Sequence, residues 1–167
     1  KELKELEEKC DKLTFEITQT LIYCTTESLA GERALRVTSL LRVTGELEDI
    51  GDCCYRLVQL AHRKYRKNRV LPQETLREIK VFSEQILDFM ELYQTHLKDG
   101  SIPDIKKAEL IENRIDASRK SLRKNAVKRM QDNENLKAEM IYIDILNEME
   151  SIGNDALNVV QALNHVV

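Results

Sequence analysis

The sequence has few of the residues that interrupt a helix and few aromatic residues. It contains 5 Gly, 2 Pro and no Trp among 167 residues, and 5% of the residues are aromatic. The hydrophobic fraction of 42% and the charged fraction of 33% are typical of long amphipathic helices rather than of sheets. The composition therefore predicts an all-α protein, long enough for one ordinary domain or for two small helical bundles that share an interface.

An excess of charge of either sign is also absent. The basic residues number 26 and the acidic residues 29, which gives a net charge of −3. A protein that binds nucleic acid usually carries a strongly basic face, so this balance predicts no nucleic-acid partner. Partners must be recognised through local patches of the surface.

Long apolar runs are missing as well. The longest, such as Val58–Ala61, fall far short of the roughly 20 residues that span a bilayer, and no basic segment followed by an apolar one marks a signal peptide. The cysteines form no CxxC pair, and Cys10, Cys24 and Cys54 lie on apolar helical stripes, where a reduced cysteine behaves as a small hydrophobe. We therefore expect a cytoplasmic location, with a disulfide or metal role for the cysteines as the alternative.

Helical periodicity is abundant. Apolar residues recur at alternating intervals of three and four in five long segments, which predicts helices over residues 1–29, 33–67, 72–98, 104–129 and 134–166. Glycine and proline mark the breaks between several of these segments. Five long helices with short connections predict antiparallel neighbours in an up-and-down bundle.

An internal repeat appears when Gly51 is aligned with Gly153. The stretch ELEDIGD that ends at Asp52 then lies over EMESIGN, which ends at Asn154. The preceding helices also match, residues 7–11 with residues 112–116. A glycine inside a helix costs about 1 kcal/mol relative to alanine, so its recurrence indicates a duplication and a close approach of the backbone at that turn.

Each copy of the repeat should comprise three helices, whereas the sequence shows five of the six that two copies require. We therefore predict two tandem antiparallel three-helix bundles, the first of which lacks its first helix. Residues 1–69 form the incomplete first repeat, and residues 70–167 form the second. The apolar stripe of the first repeat should then be covered by the second bundle or by another molecule.

Acidic residues four apart recur on the matched helices. Residues i and i+4 are neighbours on one helix face, so carboxylates lie side by side in three pairs: Glu7 with Asp11, Glu48 with Asp52, and Glu112 with Asp116. The helical angles place the Glu48 pair close to the solvent face. If the pairs converge, they offer an all-oxygen site that suits Mg²⁺, Ca²⁺, Mn²⁺ or iron; a solvated acidic face without metal has the same spacing.

The fourth pair is degenerate. Asn154 follows Glu150 where the repeat leads us to expect an aspartate. An amide offers one neutral oxygen in place of a carboxylate. The second site should therefore bind a metal more weakly than the first, or not at all.

Motifs of catalysis are not found. No Glu-x-x-His pair, phosphate-binding glycine loop, Ser/His/Asp or Cys/His signature occurs, and the three histidines are scattered near helix ends. We therefore predict no enzymatic activity. Two basic clusters, residues 62–69 and the basic residues within 114–129, are either solvated helix surfaces or contacts for an anionic membrane or an acidic partner.

The stretch LLRVTGELEDIGD, residues 40–52, resembles the PhoU family pattern of an apolar, Arg-containing helix followed by ELERIGD. Residues 112–123 are similar to the earlier E-x-x-x-D helix of that family, and the resemblance covers nearly the whole chain. It implies two tandem three-helix bundles that bind metal clusters at their surface and restrain phosphate uptake and signalling. The metal ligands that it implies are Glu7, Asp11, Glu48, Asp52, Glu112, Asp116 and Glu150.

The resemblance also implies a setting. PhoU-like modules occur fused behind the membrane part of bacterial Na⁺/phosphate cotransporters, and a chain that starts at Lys1, within a repeat, fits that setting. We therefore expect a cytoplasmic regulatory module of phosphate transport at the inner face of the membrane, acting on a transporter domain in cis. The implied metal, divalent or trivalent, is iron, Mn, Mg, Zn or Ca.

Two alternatives stay open. One is a free-standing regulator that acts in trans on a phosphate transporter subunit and on a sensor kinase. The other is a helical scaffold whose acidic residues bind no metal. A homodimer is one further assembly that we consider.

Overall fold

The computed structural model describes residues 2–25, 31–131 and 135–165. These residues form five α-helices and no strand, so the all-α prediction is confirmed. The helices are α1 (Glu2–Tyr23), α2 (Glu32–Arg66), α3 (Gln73–Asp99), α4 (Ile105–Gln131) and α5 (Leu136–Leu163).

Local chemistry sets the ends of the helices. Gly100 adopts a left-handed conformation with φ 70° and donates its N–H to the carbonyl of His96, which closes the last turn of α3. At the start of α4, the side chain of Asp104 accepts a hydrogen bond of 3.2 Å from the N–H of Lys107. Helix α1 ends at Tyr23, short of the predicted residue 29, and residues 26–30 lie outside the described part of the chain.

Helix α5 is the centre of the protein because it is apolar on several faces. It packs against α2, α3 and α4, and its side chains Tyr142 and Leu146 are fully buried. Helices α3 and α4 also contact each other and contribute Phe82, Phe89 and Ile115 to the same core. The last three helices therefore form a packed three-helix bundle.

A buried polar network ties the three helices of this bundle together. Arg129 of α4 donates two hydrogen bonds to Glu139 of α5, at 3.0 and 3.1 Å, and one to Glu78 of α3, at 3.2 Å. The hydroxyl of Tyr142 donates to Glu78 at 2.7 Å, and the guanidinium of Arg129 lies 5.3 Å from the centre of that ring. Glu139 is 2% exposed, so this arginine supplies the charge that makes its burial tolerable.

Helix α2 lies antiparallel against α5 through reciprocal contacts. Arg56 donates a hydrogen bond of 2.8 Å to Glu148, and Asn158 donates one of 2.9 Å to Glu46. The alignment that matches Gly51 with Gly153 also matches Arg56 with Asn158 and Glu46 with Glu148. Arg56 therefore contacts the equivalent of Glu46, and the equivalent of Arg56 contacts Glu46. The two subunits of a symmetric dimer contact each other in the same reciprocal way.

The two helix-interior glycines make the same close approach. A Cβ atom added to Gly51 would lie 3.2 Å from the Sγ of Cys10, and one added to Gly153 would lie 3.2 Å from the Cγ2 of Ile115. Cys10 and Ile115 are equivalent positions when Glu7 is aligned with Glu112. The α1–α2 pair and the α4–α5 pair therefore pack alike at this turn, which supports the repeat, although the complete tandem arrangement stays a prediction.

Helix α1 is the least covered element of the fold. It contacts α2 and no other helix, and none of its described residues is buried. Its apolar side chains stay accessible to solvent, with exposed fractions of 51% for Leu3, 57% for Leu6, 47% for Leu13 and 45% for Ile17. Of the two covers predicted for the first repeat, the second bundle covers part of α2, where Val43, Ile50 and Leu60 are buried, but within the described residues it does not contact α1.

None of the helices in the described ranges carries an apolar stretch long enough to cross a membrane.

Candidate metal centre

Three predicted metal ligands converge between α1 and α2. Glu7, Asp11 and Asp52 each offer a carboxylate oxygen, and these oxygens all lie within 4.8 Å of one another. Glu7 and Asp11 share one face of α1 because they are four residues apart. The close approach of Cys10 to Gly51 brings that face against Asp52. With Glu48, which precedes Asp52 by one turn of α2, these residues are named the first acidic cluster.

The electrostatics of the first acidic cluster are those of crowded carboxylates. Burial raises the pKa of Glu48 above its ordinary value of 4.5, and the charges of Asp52, Asp49 and Asp11 raise it further. Burial, followed by Asp11, Glu48 and Asp52, likewise raises the pKa of the Cys10 thiol. In both groups burial is the largest cause of the raised pKa, and the neighbouring carboxylates add to it.

Protein cations compensate little of this charge. Asp52 forms an ion pair with Arg56 at 3.2 Å, but Arg56 also binds Glu148 at 2.8 Å across the α2–α5 interface. No basic side chain among the described residues forms an ion pair with Glu7, Asp11 or Glu48. The first acidic cluster therefore has spare negative charge that faces solvent.

The predicted placement of Glu48 and Asp52 close to the solvent face describes them only in part. Both residues are half-buried and lie toward α1, while the side chain of Asp52 is still 39% exposed. The helical angles were measured from a single apolar stripe, whereas α2 packs against two helices, α5 and α1. A helix with two packing faces has less free surface than one stripe indicates.

The second acidic cluster consists of Glu112, Asp116 and Glu150, followed by Asn154. Burial raises the pKa of Glu112 above 4.5, and Asp116 and Glu150 raise it further, so these three residues share one surface between α4 and α5. Asn154 donates a hydrogen bond of 3.1 Å to Glu150. Its amide is thus engaged as a donor at the position where the repeat predicts an acid.

Two cations of the chain itself are paired with the second acidic cluster. Asp116 accepts hydrogen bonds from Lys120 and, at 3.3 Å, from Arg119. The Nε of Arg119 also lies 3.7 Å from the carboxylate of Glu150. The hydrogen bond from Lys120 is the main cause of a lowered pKa at Asp116. Asp116 and Glu150 are therefore paired with cations of the chain, whereas Glu112 forms no ion pair with a basic residue in the described ranges.

The sequence held a signal for this difference. When Glu7 is aligned with Glu112, Arg119 replaces Thr14 and Lys120 replaces Phe15. Both cations were assigned to a basic patch of α4, and their role as internal counter-ions to Asp116 was not predicted. Comparison of residues 14 and 15 with residues 119 and 120, one turn after each acidic pair, indicates this counter-ion role.

The donor set of the first acidic cluster fits a hard cation. Oxygen ligands lie about 2.0–2.6 Å from Mg²⁺ or Ca²⁺, so two ligands of one ion are at most about 4–5 Å apart. The carboxylate oxygens of Glu7, Asp11 and Asp52 lie within 4.8 Å of one another, which is inside the span of about 5 Å that the bonds of Ca²⁺ allow. Glu48 lies close enough to raise the negative potential there.

The basic cluster at residues 62–69 lies at the end of α2. Its residues Arg63 and Arg66 line a shallow groove with Gln59 and Lys67. Arg63 lies 4.0 Å from Asp144, and both side chains are about half exposed. These contacts are those of a solvated helix end, where cations interact favourably with the helix dipole.

Fold and site together define a class: a protein that is all-helical in its described residues and carries there a surface carboxylate cluster whose negative charge is compensated only by Arg56. Comparison with protein-family models and with curated proteins finds no match to the chain.

Proposed function

We propose that the chain is a non-enzymatic regulatory module of phosphate transport, similar to the PhoU family, and that its first acidic cluster binds a metal ion. The observation that carries the metal site is the convergence of Glu7, Asp11 and Asp52 to within 4.8 Å. The resemblance of residues 40–52 to the family pattern carries the link to phosphate transport.

The first acidic cluster would bind the ion through residues of two helices. Glu7 and Asp11 belong to α1, and Asp52 belongs to α2. A cation shared by these carboxylates relieves their mutual repulsion and connects α1 to α2, the one helix that it contacts. Iron, Mn, Mg, Zn and Ca all accept carboxylate oxygen. An ion bound by carboxylates of both helices should hold α1 in place against α2.

The second acidic cluster is proposed to bind metal weakly or not at all. Arg119 and Lys120 already neutralise Asp116, and Asn154 supplies an amide in place of a carboxylate. A metal ion at Asp116 would have to displace these two cations from its carboxylate. The two copies of the repeat would then have different tasks.

The proposed partner is a membrane transporter domain in cis or a phosphate transporter subunit in trans, at the inner face of the membrane. The basic cluster at residues 62–69 supports this placement because anionic lipid headgroups attract such clusters by about 1 kcal/mol per basic residue.

The metal site is tested by titrating the metal-stripped protein with each candidate ion and measuring thermal unfolding. A ligand that binds the folded state at a concentration of 100 Kd stabilises it by about 2.7 kcal/mol, so the transition should rise with ion concentration. The variant with Glu48→Gln and Asp52→Asn should lose this response, and the matched variant with Glu112→Gln and Asp116→Asn should keep it. Absence of any response in the unaltered protein would contradict the metal site.

The link to phosphate transport needs a separate measurement. Phosphate uptake is compared in native cells that carry either the unaltered gene or the gene with Glu48→Gln and Asp52→Asn, under phosphate-rich conditions. Loss of the proposed restraint should raise uptake in the variant. Equal uptake combined with lost metal binding would leave the metal site standing and refute its regulatory role.

A further inference from the structure

Two basic stretches of the sequence lie toward the ends of two parallel helices. Residues 62–69 contain five basic residues and residues 119–129 contain six, and neither stretch contains an acidic residue. The first covers the last turn of α2 and the residues after it, and the second belongs to the last turns of α4. Helices α2 and α4 each run antiparallel to α5, so their last turns lie at the same end of the molecule.

Contacts with α5 join the two stretches. Arg63 of α2 lies 4.0 Å from Asp144 of α5. The loop after α2 meets the residue before α5, because Asn135 donates a hydrogen bond of 3.3 Å to the carbonyl of Val70. Arg129 of α4 contacts the first turn of α5. The ends of α2 and α4 and the beginnings of α3 and α5 therefore form one surface, which is named the basic end.

Most cations of the basic end have no acidic partner. Arg63, Arg119, Lys120 and Arg129 pair with acidic residues of the fold. The other seven basic residues of the two stretches form no ion pair with a residue of the described ranges. Five of these seven are exposed to solvent: Arg66, Lys67, Arg123, Lys124 and Lys128.

Acidic residues next to the basic end are too few to balance it. Glu74 lies in the first turn of α3 and is exposed. Asp132 and Glu134 belong to the connection between α4 and α5, outside the described residues. These three acids stand against seven unpaired basic residues. The basic end should therefore attract a polyanion, although the net charge of the whole chain is −3.

Exposed apolar side chains lie among these cations. Tyr65 in the last turn of α2 is 85% exposed, and Val70 in the following loop is 70% exposed. Val127 near the end of α4, and Leu136 and Met140 near the beginning of α5, are each more than 40% exposed. The five residues belong to three helices and a loop, so they are dispersed over the basic end.

This mixture of cations and dispersed apolar residues fits a lipid surface better than a folded partner. A partner helix or strand is recognised by an apolar groove or at a sheet edge, whereas the groove that Arg63, Arg66 and Lys67 line at this end is polar. At a membrane, cations meet anionic headgroups while tyrosine and aliphatic side chains enter the boundary with the acyl chains. Long lysine and arginine side chains reach across that boundary.

We propose that the basic end docks directly on an anionic lipid surface, with the ends of α2 and α4 against the headgroups. This inference rests on the membrane location in the proposed function and adds that the lipid itself is a partner. The first acidic cluster does not oppose such docking. Asp52 precedes Arg66 by 14 residues, which is about 20 Å along a helix, and salt screens charges beyond about 8 Å.

The proposal is tested by sedimenting the full chain with vesicles of phosphatidylglycerol and phosphatidylcholine, and with vesicles of phosphatidylcholine alone. The chain should bind the first and not the second, and added salt should weaken the binding. Each basic residue near an anionic surface strengthens binding about fivefold. The variant with Arg123→Gln, Lys124→Gln and Lys128→Gln should therefore bind on the order of 100-fold more weakly, and so should the variant with Arg66→Gln, Lys67→Gln and Arg69→Gln.

The matched control carries Lys98→Gln, Lys106→Gln and Lys107→Gln. These exposed residues lie at the opposite end of α3 and α4 and form no ion pair within the described ranges. Their replacement changes the net charge by the same amount, so the control should bind almost as the unaltered chain does.

The apolar residues are tested in the same way. Tyr65→Ser with Val70→Ser should remove the part of the binding that survives high salt, because burial of apolar surface does not depend on ionic attraction. The control Ile102→Ser with Leu110→Ser changes two exposed apolar residues away from the basic end and should keep that part. Equal losses in the two variants would refute the apolar contact with lipid.

Four results would overturn the proposal. If the α4 variant binds anionic vesicles as tightly as the lysine control, the basic end is not the docking surface. If the unaltered chain binds phosphatidylcholine alone equally well, the anionic headgroup is not recognised. If it binds polyglutamate or RNA but no vesicle at the same salt concentration, the polyanion is not a membrane. If the chain alone sediments as a dimer that the α4 variant disperses and the lysine control does not, a second copy covers the basic end.

Circular dichroism of each variant controls for folding. Vesicle binding is measured without metal and without phosphate uptake, so its absence would leave both the metal site and the restraint of uptake standing. Intact vesicle binding in a chain that shows no response to metal would refute the metal site alone.

Discussion

Replacement of Asp155 by asparagine should stabilise the protein at neutral pH. Asp155 is half-buried on α5 where it faces acidic residues of α2. Burial raises its pKa from the ordinary 3.8 to about 6, with contributions from Asp49 and Glu46 that the nearby Arg56 only partly offsets. Because the folded state favours the protonated acid, ionisation of Asp155 costs stability, and this cost is complete above pH 6.

The size of the effect follows from the two pKa values. A difference of about two pH units corresponds to roughly 3 kcal/mol, and solvent screening of a half-buried group reduces this to about 1–2 kcal/mol. Asp155→Asn should therefore raise the free energy of unfolding by about 1–2 kcal/mol at pH 7.5. The gain should shrink as the pH falls through 6 and vanish below about 4, where aspartate is protonated in both states.

Urea unfolding of the unaltered protein and of Asp155→Asn between pH 4 and pH 8 measures this difference. The control is Asp144→Asn, because Asp144 is about half exposed and lies 4.0 Å from Arg63; loss of such a surface pair changes stability by about 0–1 kcal/mol. A difference for Asp155→Asn that is independent of pH, or a loss of stability at pH 7.5, would refute the reasoning.

Two further predictions concern the core. Arg129→Ala leaves the buried carboxylate of Glu139 unpaired and should lower the free energy of unfolding in urea by about 3–5 kcal/mol. The control Arg63→Ala should lower it by less than about 1 kcal/mol. Similar losses for the two variants would contradict the stabilising role of the Arg129 network. Gly153→Ala should destabilise the fold, because its Cβ would press on the buried Ile115 at 3.2 Å. The control is Gly45→Ala, whose Cβ meets nothing within 4 Å and which should stabilise the fold by about 1 kcal/mol through the higher helix propensity of alanine. Stabilisation by both substitutions would show that α4 and α5 are not closely packed at Gly153.

The helices could be predicted from the sequence because their signals are local. The alternation of apolar residues gave five helices, and the structure has five in the described ranges, with Pro72 directly before α3 and Gly100 directly after it. The bounds of α1 were predicted less well. Its apolar stripe continues to Cys24, but Cys24 and Thr25 already form a turn.

Contacts between distant segments could not be predicted in the same way. The hydrogen bonds of Arg129 and Tyr142 to Glu78 join residues 51 and 64 positions apart, and no spacing within one helix indicates them. The convergence of Glu7 and Asp11 with Asp52 was a conditional prediction, since it required α1 and α2 to be neighbours. The internal repeat predicted a close approach of the backbone at Gly51, and the structure identifies Cys10 of α1 as the residue that makes it.

The exchange of equivalent contacts between α2 and α5 has a consequence for how the two halves stay together. Arg56 with Glu148 and Asn158 with Glu46 form the kind of contact that separate subunits use, while residues 67–72 form the covalent link from α2 to α3. That link is short, its residue Leu71 is buried and the carbonyl of Val70 accepts a hydrogen bond from Asn135. Short links give the groups that they join an effective concentration on the order of millimolar. An interface held at such a concentration needs only modest intrinsic affinity. Substitutions on the surface of either half can therefore weaken the contact without separating the two halves.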